Sequence, residues 1–516
     1  MVAAGILLSR ILGLVRTRAF AHFFGTSDAG DAFMAAFKIP NFLQNLFGEG
    51  VLSASFIPGY ARLRAMGRED EARHVAGAVF GLLGVVVSAI VAVGVLLAGP
   101  ITDLIAPGFS GAKRDLTVLV VRVLFPGAGL LVMSAWCLGV LNSHRRFFLS
   151  YTAPVIWNVA MIATLIGFGP RRGADELAVV LAWGSVAGSL LQFVVQLPTA
   201  LQVLGGLRPA VSITHAEVRS VLANFVPVFI GRGVVQVSAF VDTILASFLP
   251  TGAVTALGYA QIISYLPVSL FGMSVAAAEL PEMSSATGET EQVHAVMRTR
   301  LDRGLGRIAF FVVPSAAAFL ALGGVLAGAL YQSGQFTRQD SRYVWVILAG
   351  SAVGLLAATM GRLYSSAYYA LRDTRTPLRF ALVRVTLTVA LGYLFCLPLP
   401  RLLGLELRWG AVGLTTSAGI AGWIEFALLR RQLNLRIGVT GVALGRVLRL
   451  WVAAGVAAAV AWGALVLAGD RHPIILALVS LLPYGAVYLA LTNLFGMEEA
   501  AALIRRLPGA RARSRP

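Results

Sequence analysis

Apolar residues recur along this chain in long runs, separated by short stretches rich in arginine or glycine. A helix rises about 1.5 Å per residue, so about 20 apolar residues cross a bilayer's hydrocarbon core. Runs of that length predict about fourteen spans. The first six lie near 2–24, 31–60, 75–99, 116–141, 149–169 and 177–203. Six more lie near 218–249, 255–285, 305–331, 342–370, 377–399 and 409–431, and a last pair near 446–468 and 473–495. The pattern predicts an all-α polytopic membrane protein.

Composition agrees. Of 516 residues 58% are hydrophobic and 13% charged, where a soluble protein carries about 25% charged residues. The net charge of +18 does not predict a nucleic-acid partner, because the cations are scattered between apolar runs and no basic stripe interleaves with aromatics. They sort by side instead. With the N-terminus inside, the cytoplasmic segments hold Arg62, Arg64, Arg68 and Arg73, then Arg145 and Arg146, then Arg298, Arg300, Arg303 and Arg307. Arg372, Arg375 and Arg379 follow, then Arg430, Arg431, Arg436, Arg446 and Arg449, and a basic tail over 501–516. Opposite loops hold few, among them Lys113 and Arg114. This positive-inside bias predicts a multi-pass protein with both termini cytoplasmic. The first apolar run reads as a retained helix, not a cleavable signal. Cys137 and Cys396 lie in apolar runs and suggest no disulfide framework.

Charges left inside the spans carry the functional signal. Arg10, Arg16 and Arg18 share the first run, and each arginine facing lipid near a helix centre costs about 2.5–3.5 kcal/mol. They are expected to face protein or a wet cavity, which implies an anionic passenger. Guanidinium suits phosphate, because its planar fork gives bidentate, charge-assisted hydrogen bonds and stays protonated. Lys38, Arg122, Arg232 and Arg362 are further bases within spans, and Asp31, Glu49, Asp242, Glu279 and Glu425 the main acids. Asp31 and Lys38 stand about two turns apart and share a helix face. Asn41, Gln44 and Asn45 add amides there, and Pro40 is expected to kink the helix and free carbonyls. Six isolated histidines, with no metal-ligand cluster, nucleophile elbow or P-loop, argue for binding and moving a ligand, not for catalysis.

A weak internal repeat is visible. Leu46-Phe47-Gly48-Glu49-Gly50-Val51 precedes Pro58, and Leu270-Phe271-Gly272-Met273-Ser274-Val275 precedes Pro281; each follows a proline, Pro40 and Pro267. Spans one to six and seven to twelve then read as two similarly oriented lobes. The domain reading is 1–205, 206–435, a helix pair over 436–500 and the tail.

Ser9-Arg10-Ile11-Leu12-Gly13, Arg16, Asp31-Ala32-Phe33, Ala36-Phe37-Lys38-Ile39-Pro40-Asn41 and Phe56-Ile57-Pro58 resemble the MurJ (MviN) family of lipid II flippases. So do Ala106-Pro107-Gly108-Phe109, Gly334-Gln335-Phe336-Thr337 and Asp373-Thr374-Arg375-Thr376-Pro377. The family belongs to the multidrug/oligosaccharidyl-lipid/polysaccharide exporter superfamily. The resemblance implies fourteen helices, with two six-helix lobes in a V-shaped arrangement and a final pair that lines a groove for a lipid tail. It implies export of the undecaprenyl-pyrophosphate-linked peptidoglycan precursor across the bacterial inner membrane by alternating access. Essential cavity arginines of the family fall on Arg10 and Arg16, and acidic positions on Asp31 and Glu49. Gln44 and Ile262, beside Gln261, stand where the family carries arginines, so the clamp is expected to be completed by Arg232, Arg362 or Lys38. Sodium binding in some relatives points to Asp242. Energy coupling by Na+, H+ or the membrane potential, a monomeric state, and cell-wall synthesis or division proteins as partners complete the expectation, with no bound cofactor. The competing readings are a polysaccharide-repeat flippase and a cation-coupled drug exporter, whose cavity for cations would be acidic. A membrane glycosyltransferase, a phosphatase and a divisome scaffold are the remaining classes.

Overall fold

The computed structural model describes residues 2–285 and 290–506. The chain is helical, and among the described residues eleven helices are long and apolar enough to cross a membrane. Three further helical stretches coincide with expected spans one, two and seven: Val2–Phe24, Asp28–Ala65 and Ala216–Ala246. These three carry most of the intramembrane charge, including Arg10, Arg16, Arg18, Asp31, Lys38 and Asp242. A total of fourteen spans is compatible with this set. The chain divides into two compact units.

The first unit runs through Thr255 and takes in Ser333–Phe336. Helix α1 (Val2–Phe24) stops at Gly25, which takes a left-handed φ of +53° that a side chain would resist. Ser27 then opens α2 (Asp28–Leu43), its hydroxyl accepting the Gly30 amide proton at 3.2 Å. α2 passes through a π-helical stretch, Gln44–Leu52, into α3 (Ser53–Ala65). α4 (Glu69–Leu96), α5 (Ala98–Ile105), α6 (Gly111–Ser143), α7 (Phe147–Phe168), α8 (Ala174–Leu204) and α9 (Ala216–Ala246) follow. α6 lies at the centre, packed by α2, α4 and α8, while α7 joins α1 to α8. α9, the first expected span of the second lobe, packs on α3 in this unit.

The second unit holds Ala256–Gln332 and the chain from Thr337 on. α10 (Ala253–Pro267), which starts in the first unit, leads through a second π-helical stretch, Val268–Met273, into α11 (Ser274–Ser284). The two segments that rhyme in sequence therefore both leave α geometry. In each a proline precedes the wide turn, where its missing N–H loosens the hydrogen-bond ladder. Then come α12 (Thr290–Tyr331), α13 (Arg338–Ala370), α14 (Arg375–Cys396), α15 (Pro398–Leu402), α16 (Gly410–Ile437), α17 (Leu444–Ala468), α18 (Pro473–Leu494) and α19 (Glu498–Arg506). α13 and α16 meet backbone to backbone at Gly354 and Gly419, where a Cβ would collide. Pro314 lacks the N–H that would serve the Phe310 carbonyl. Tyr488 of α18 donates its hydroxyl to that carbonyl at 2.6 Å, and Tyr484 donates to the Pro314 carbonyl at 2.6 Å. Trp462 of α17 donates to the Ala321 carbonyl at 2.9 Å. The C-terminal helix pair is thus bolted to α12 by polar bonds that lipid cannot replace.

Candidate functional site

The first unit gathers most of the site residues anticipated from sequence. Arg16 of α1 lies over two aromatic rings, its guanidinium carbon 5.1 Å from the Phe37 centroid and 5.3 Å from that of Trp157. The rings, from α2 and α7, stack at 5.5 Å and 8°. Trp157 is held in place by its indole N–H, which donates to the Ser185 carbonyl at 3.1 Å. A flat cation over flat rings keeps its in-plane N–H donors free for a bidentate partner, an arrangement that lysine cannot reproduce. Arg10 lies on the same helix, six residues earlier, and is exposed.

Asp31 is placed differently. It is buried, 1% exposed, and its carboxylate accepts four hydrogen bonds. The donors are Lys113 Nζ at 2.6 Å, the Gly252 amide at 2.7 Å, the Thr255 amide at 2.8 Å and the Thr255 hydroxyl at 2.7 Å. Lys113 also reaches Asp28 at 2.8 Å and sits 4.4 Å from the Phe109 ring centroid. Thr251 donates to Asp28 at 2.9 Å, and the Gly108 amide donates to Ser247 Oγ at 2.9 Å. The Gln335 amide donates to the His22 carbonyl at 2.8 Å. These bonds join the α1–α2 turn, the loop before α6, the α9–α10 loop and Ser333–Phe336 into one latch on the arginine-poor side. Its ammonium sits between two carboxylates, which leaves one negative charge over.

An aromatic ladder connects the latch to Arg16. Phe20, Phe24, Phe33 and Phe37 contact one another with centroids 4.4–6.4 Å apart and end on Trp157. Asp31, two residues before Phe33, and Arg16 therefore belong to one rigid wall.

The other anticipated residues spread along α2, α9 and α10. Lys38 is half-buried, and its charge interacts with that of Asp242 on α9. Asn41 is exposed, its amide donating to the Phe37 carbonyl at 3.3 Å. Gln44 starts the π-helical stretch and is half-buried, as is Gln261 in the second unit. The side chains of Glu49 and Arg232 lie outside the described residues, as does the tail beyond Arg506. Arg362 is exposed on α13. Glu279 is buried between Arg300 and Arg307, and Glu425 pairs with Arg384 at 3.1 Å. Sequence reasoning counted Lys113 as a loop charge and missed Gly252, Thr255, Phe37 and Trp157 as partners. One signal was present: Lys38 and Lys113 are the only lysines in an arginine-rich chain. A compact ammonium with three donors suits a gap between two carboxylates better than a planar fork does.

Comparison with known proteins adds an independent line. The family model described as lipid II flippase MurJ matches residues 20–486. The chain is 32% identical to the lipid II flippase MurJ of Burkholderia cenocepacia over 443 residues, 84% of this chain and 83% of that protein. It is 29% identical to the probable lipid II flippase MurJ of Vibrio cholerae over 445 residues, 84% and 82% of the two chains. Among solved structures, a lipid II flippase MurJ in an inward closed conformation matches with a TM-score of 0.80 at 23% identity, covering 96% of this chain and 98% of that one. An inward-facing multidrug transporter of the MATE family matches with a TM-score of 0.64 at 16% identity, over 82% and 95%. At these identities the structural likeness reports a shared fold.

Proposed function

The chain belongs to the lipid II flippase MurJ family, and we propose from that membership how its own residues move the lipid. It is a multi-pass protein of the bacterial inner membrane that carries lipid II across the bilayer, a transporter of the superfamily that also holds the MATE proteins. The observation that carries the reading is the family match over residues 20–486. The Arg16 cage supplies the chemistry. Lipid II presents a diphosphate, a dense anion that must leave water to cross; Arg16, fixed over Phe37 and Trp157, and Arg10 grip it by charge-assisted hydrogen bonds. Lys38, Asn41 and Gln44 extend the polar lining along α2, and Glu49, Arg232 and Gln261 are further substrate contacts proposed from sequence. Both termini face the cytoplasm, as the arginine distribution demands.

In this reading the Asp31 latch holds the outer ends of the first-unit helices together while substrate enters from the cytoplasmic side. Release to the outer leaflet requires its bonds to open. The α17–α18 pair, bolted to α12, offers the tail an apolar face on which Val452, Val456 and Val460 are exposed at one-turn intervals. The protein binds and moves its substrate without covalent chemistry, as a monomer. Na+, H+ or the membrane potential supplies the driving force, with Asp242 held near Lys38 as the carboxylate through which a cation would act.

The test is leaflet-resolved labelling of lipid II in cells where this protein is the sole flippase. Arg10→Ala and Arg16→Ala are expected to abolish both growth and outward movement at normal membrane levels of protein, and Arg16→Lys to remain strongly impaired. Normal growth of both alanine variants would reject the assigned roles. Labelling that follows a different lipid-linked sugar would reject the substrate.

A further inference from the structure

The aromatic support of Arg16 has a backing of its own, on a helix that supplies none of the substrate contacts proposed above. Trp157 is 7% exposed. Its one N–H donor reaches across to α8, to the Ser185 carbonyl at 3.1 Å and the Ser185 hydroxyl at 3.2 Å. An indole has no other polar atom, so this bond fixes how far the ring reaches and which way it is turned. Ser185 is held in its turn. Its carbonyl also accepts the Ser189 hydroxyl at 2.8 Å, and both serines are buried.

α8 comes close enough to hold the ring because its facing surface is bare. Gly184 and Gly188 stand one turn apart and are buried, a spacing of small residues that lets helix backbones approach within lipid. A Cβ at Gly188 would stand 2.8 Å from Trp157 Cδ1, 3.0 Å from Ala160 Cβ and 3.1 Å from the Trp157 carbonyl oxygen. A Cβ at Gly184 would collide with the Thr164 side chain, two turns along α7 from the ring. α8 has no room to retreat, because a Cβ at Gly127 of α6 would already stand 3.2 Å from Val186 Cα. Contact therefore runs unbroken from α6 through Ser185 and Gly188 to the Trp157 ring, and from the ring to Arg16. A guanidinium makes its paired hydrogen bonds only when its plane is presented correctly, and holding that plane in advance removes an ordering cost from binding.

We propose that Gly188 and Ser185 are positioning residues of the anion grip. Acting through Trp157, they set the plane and depth of Arg16, and with them the affinity for the lipid's diphosphate, without touching it. This rests on the reading that Arg16 grips the diphosphate.

The test is equilibrium binding of lipid II to the purified full chain in detergent, in a cycle over Gly188→Ala and Arg16→Lys, with the thermal midpoint of each variant recorded. Alone, Gly188→Ala is expected to raise half-saturating lipid II about tenfold, since a misplaced fork must be reordered on binding. In the Arg16→Lys background no planar fork remains to be misplaced, and the same change is expected to alter half-saturation by less than about twofold. A loss that requires Arg16 is something a merely loosened helix pair would not produce. Unchanged half-saturation in Gly188→Ala overturns the proposal. An equal loss in both backgrounds also overturns it and assigns Gly188 to general packing. If Arg16→Lys alone binds lipid II as the wild type does, the grip itself is rejected and the proposal falls with it. Should Gly188→Ala fail to fold, Trp157→Phe takes its place. That variant keeps a ring beneath Arg16 but loses the N–H bond to Ser185, and the same outcomes decide.

Discussion

Asp31 and Glu279 are both buried carboxylates in spanning helices, 1% and 4% exposed, yet their surroundings differ in kind. Asp31 accepts four hydrogen bonds from Lys113, Gly252 and Thr255. Glu279 has only Arg300 and Arg307 nearby, at 3.9 and 3.7 Å, and its Oε2 lacks a hydrogen-bond partner among the described residues. Those arginines are themselves half-exposed, and Arg300 makes its close contact with Glu282 at 2.7 Å. A buried charge is stabilised by short, directed donors far more than by cations across a gap. Asp31 is a fixed fastening; Glu279 is a charge that can change partners at little cost. Burial and sign alone would have ranked them as equals.

The contrast breaks most readily at Asp31. Asp31→Ala strands the Gly252 and Thr255 amides and removes the main buried counter-charge of Lys113, a loss of about 3–5 kcal/mol for a broken buried pair. A large drop in thermal midpoint and failure to support growth are expected; a midpoint unchanged from wild type would show that the latch does not hold the unit. Glu279→Gln should cost about 1 kcal/mol or less, since its arginines stay partly solvated, and growth should persist. An effect as large as that at Asp31 would abolish the distinction between the two sites.

The smallest effect is expected at Asp373, which caps α14 on the arginine-rich side. Its carboxyl is drawn down to about 2, first by the hydrogen bond from the Thr376 amide, then by the Thr376 hydroxyl and by Arg436. The folded value lies below the unfolded one, so its contribution is complete above about pH 4. It fades only as pH falls from about 4 toward 2. Between pH 5 and 8 the wild type and Asp373→Asn should therefore show parallel stability curves, converging only under strong acid. Divergence between pH 5 and 8 would place a different titrating group at this cap.

The membrane class and the approximate spans were legible because hydropathy is additive along the chain. An arginine at membrane depth also signals itself wherever the fold puts it. Arg16 was singled out that way, and the kink expected at Pro40 proved to be a π-helical stretch that recurs after Pro267, where the sequence repeats. What Arg16 rests on was not legible. Phe37 and Trp157 are 120 residues apart in sequence, and nothing in an apolar run marks which ring will stack on which.

Sequence by itself determined that this chain lives in lipid, how its arginines alternate from loop to loop, and that its first two spans carry charge. Those properties follow from the free energy of transferring each residue, a local quantity. Only the tertiary structure decided that Asp31 closes a latch with Lys113 and Thr255 while Glu279 stays loosely held. Hydrogen bonds depend on tenths of an ångström between groups that the chain brings together from hundreds of residues away.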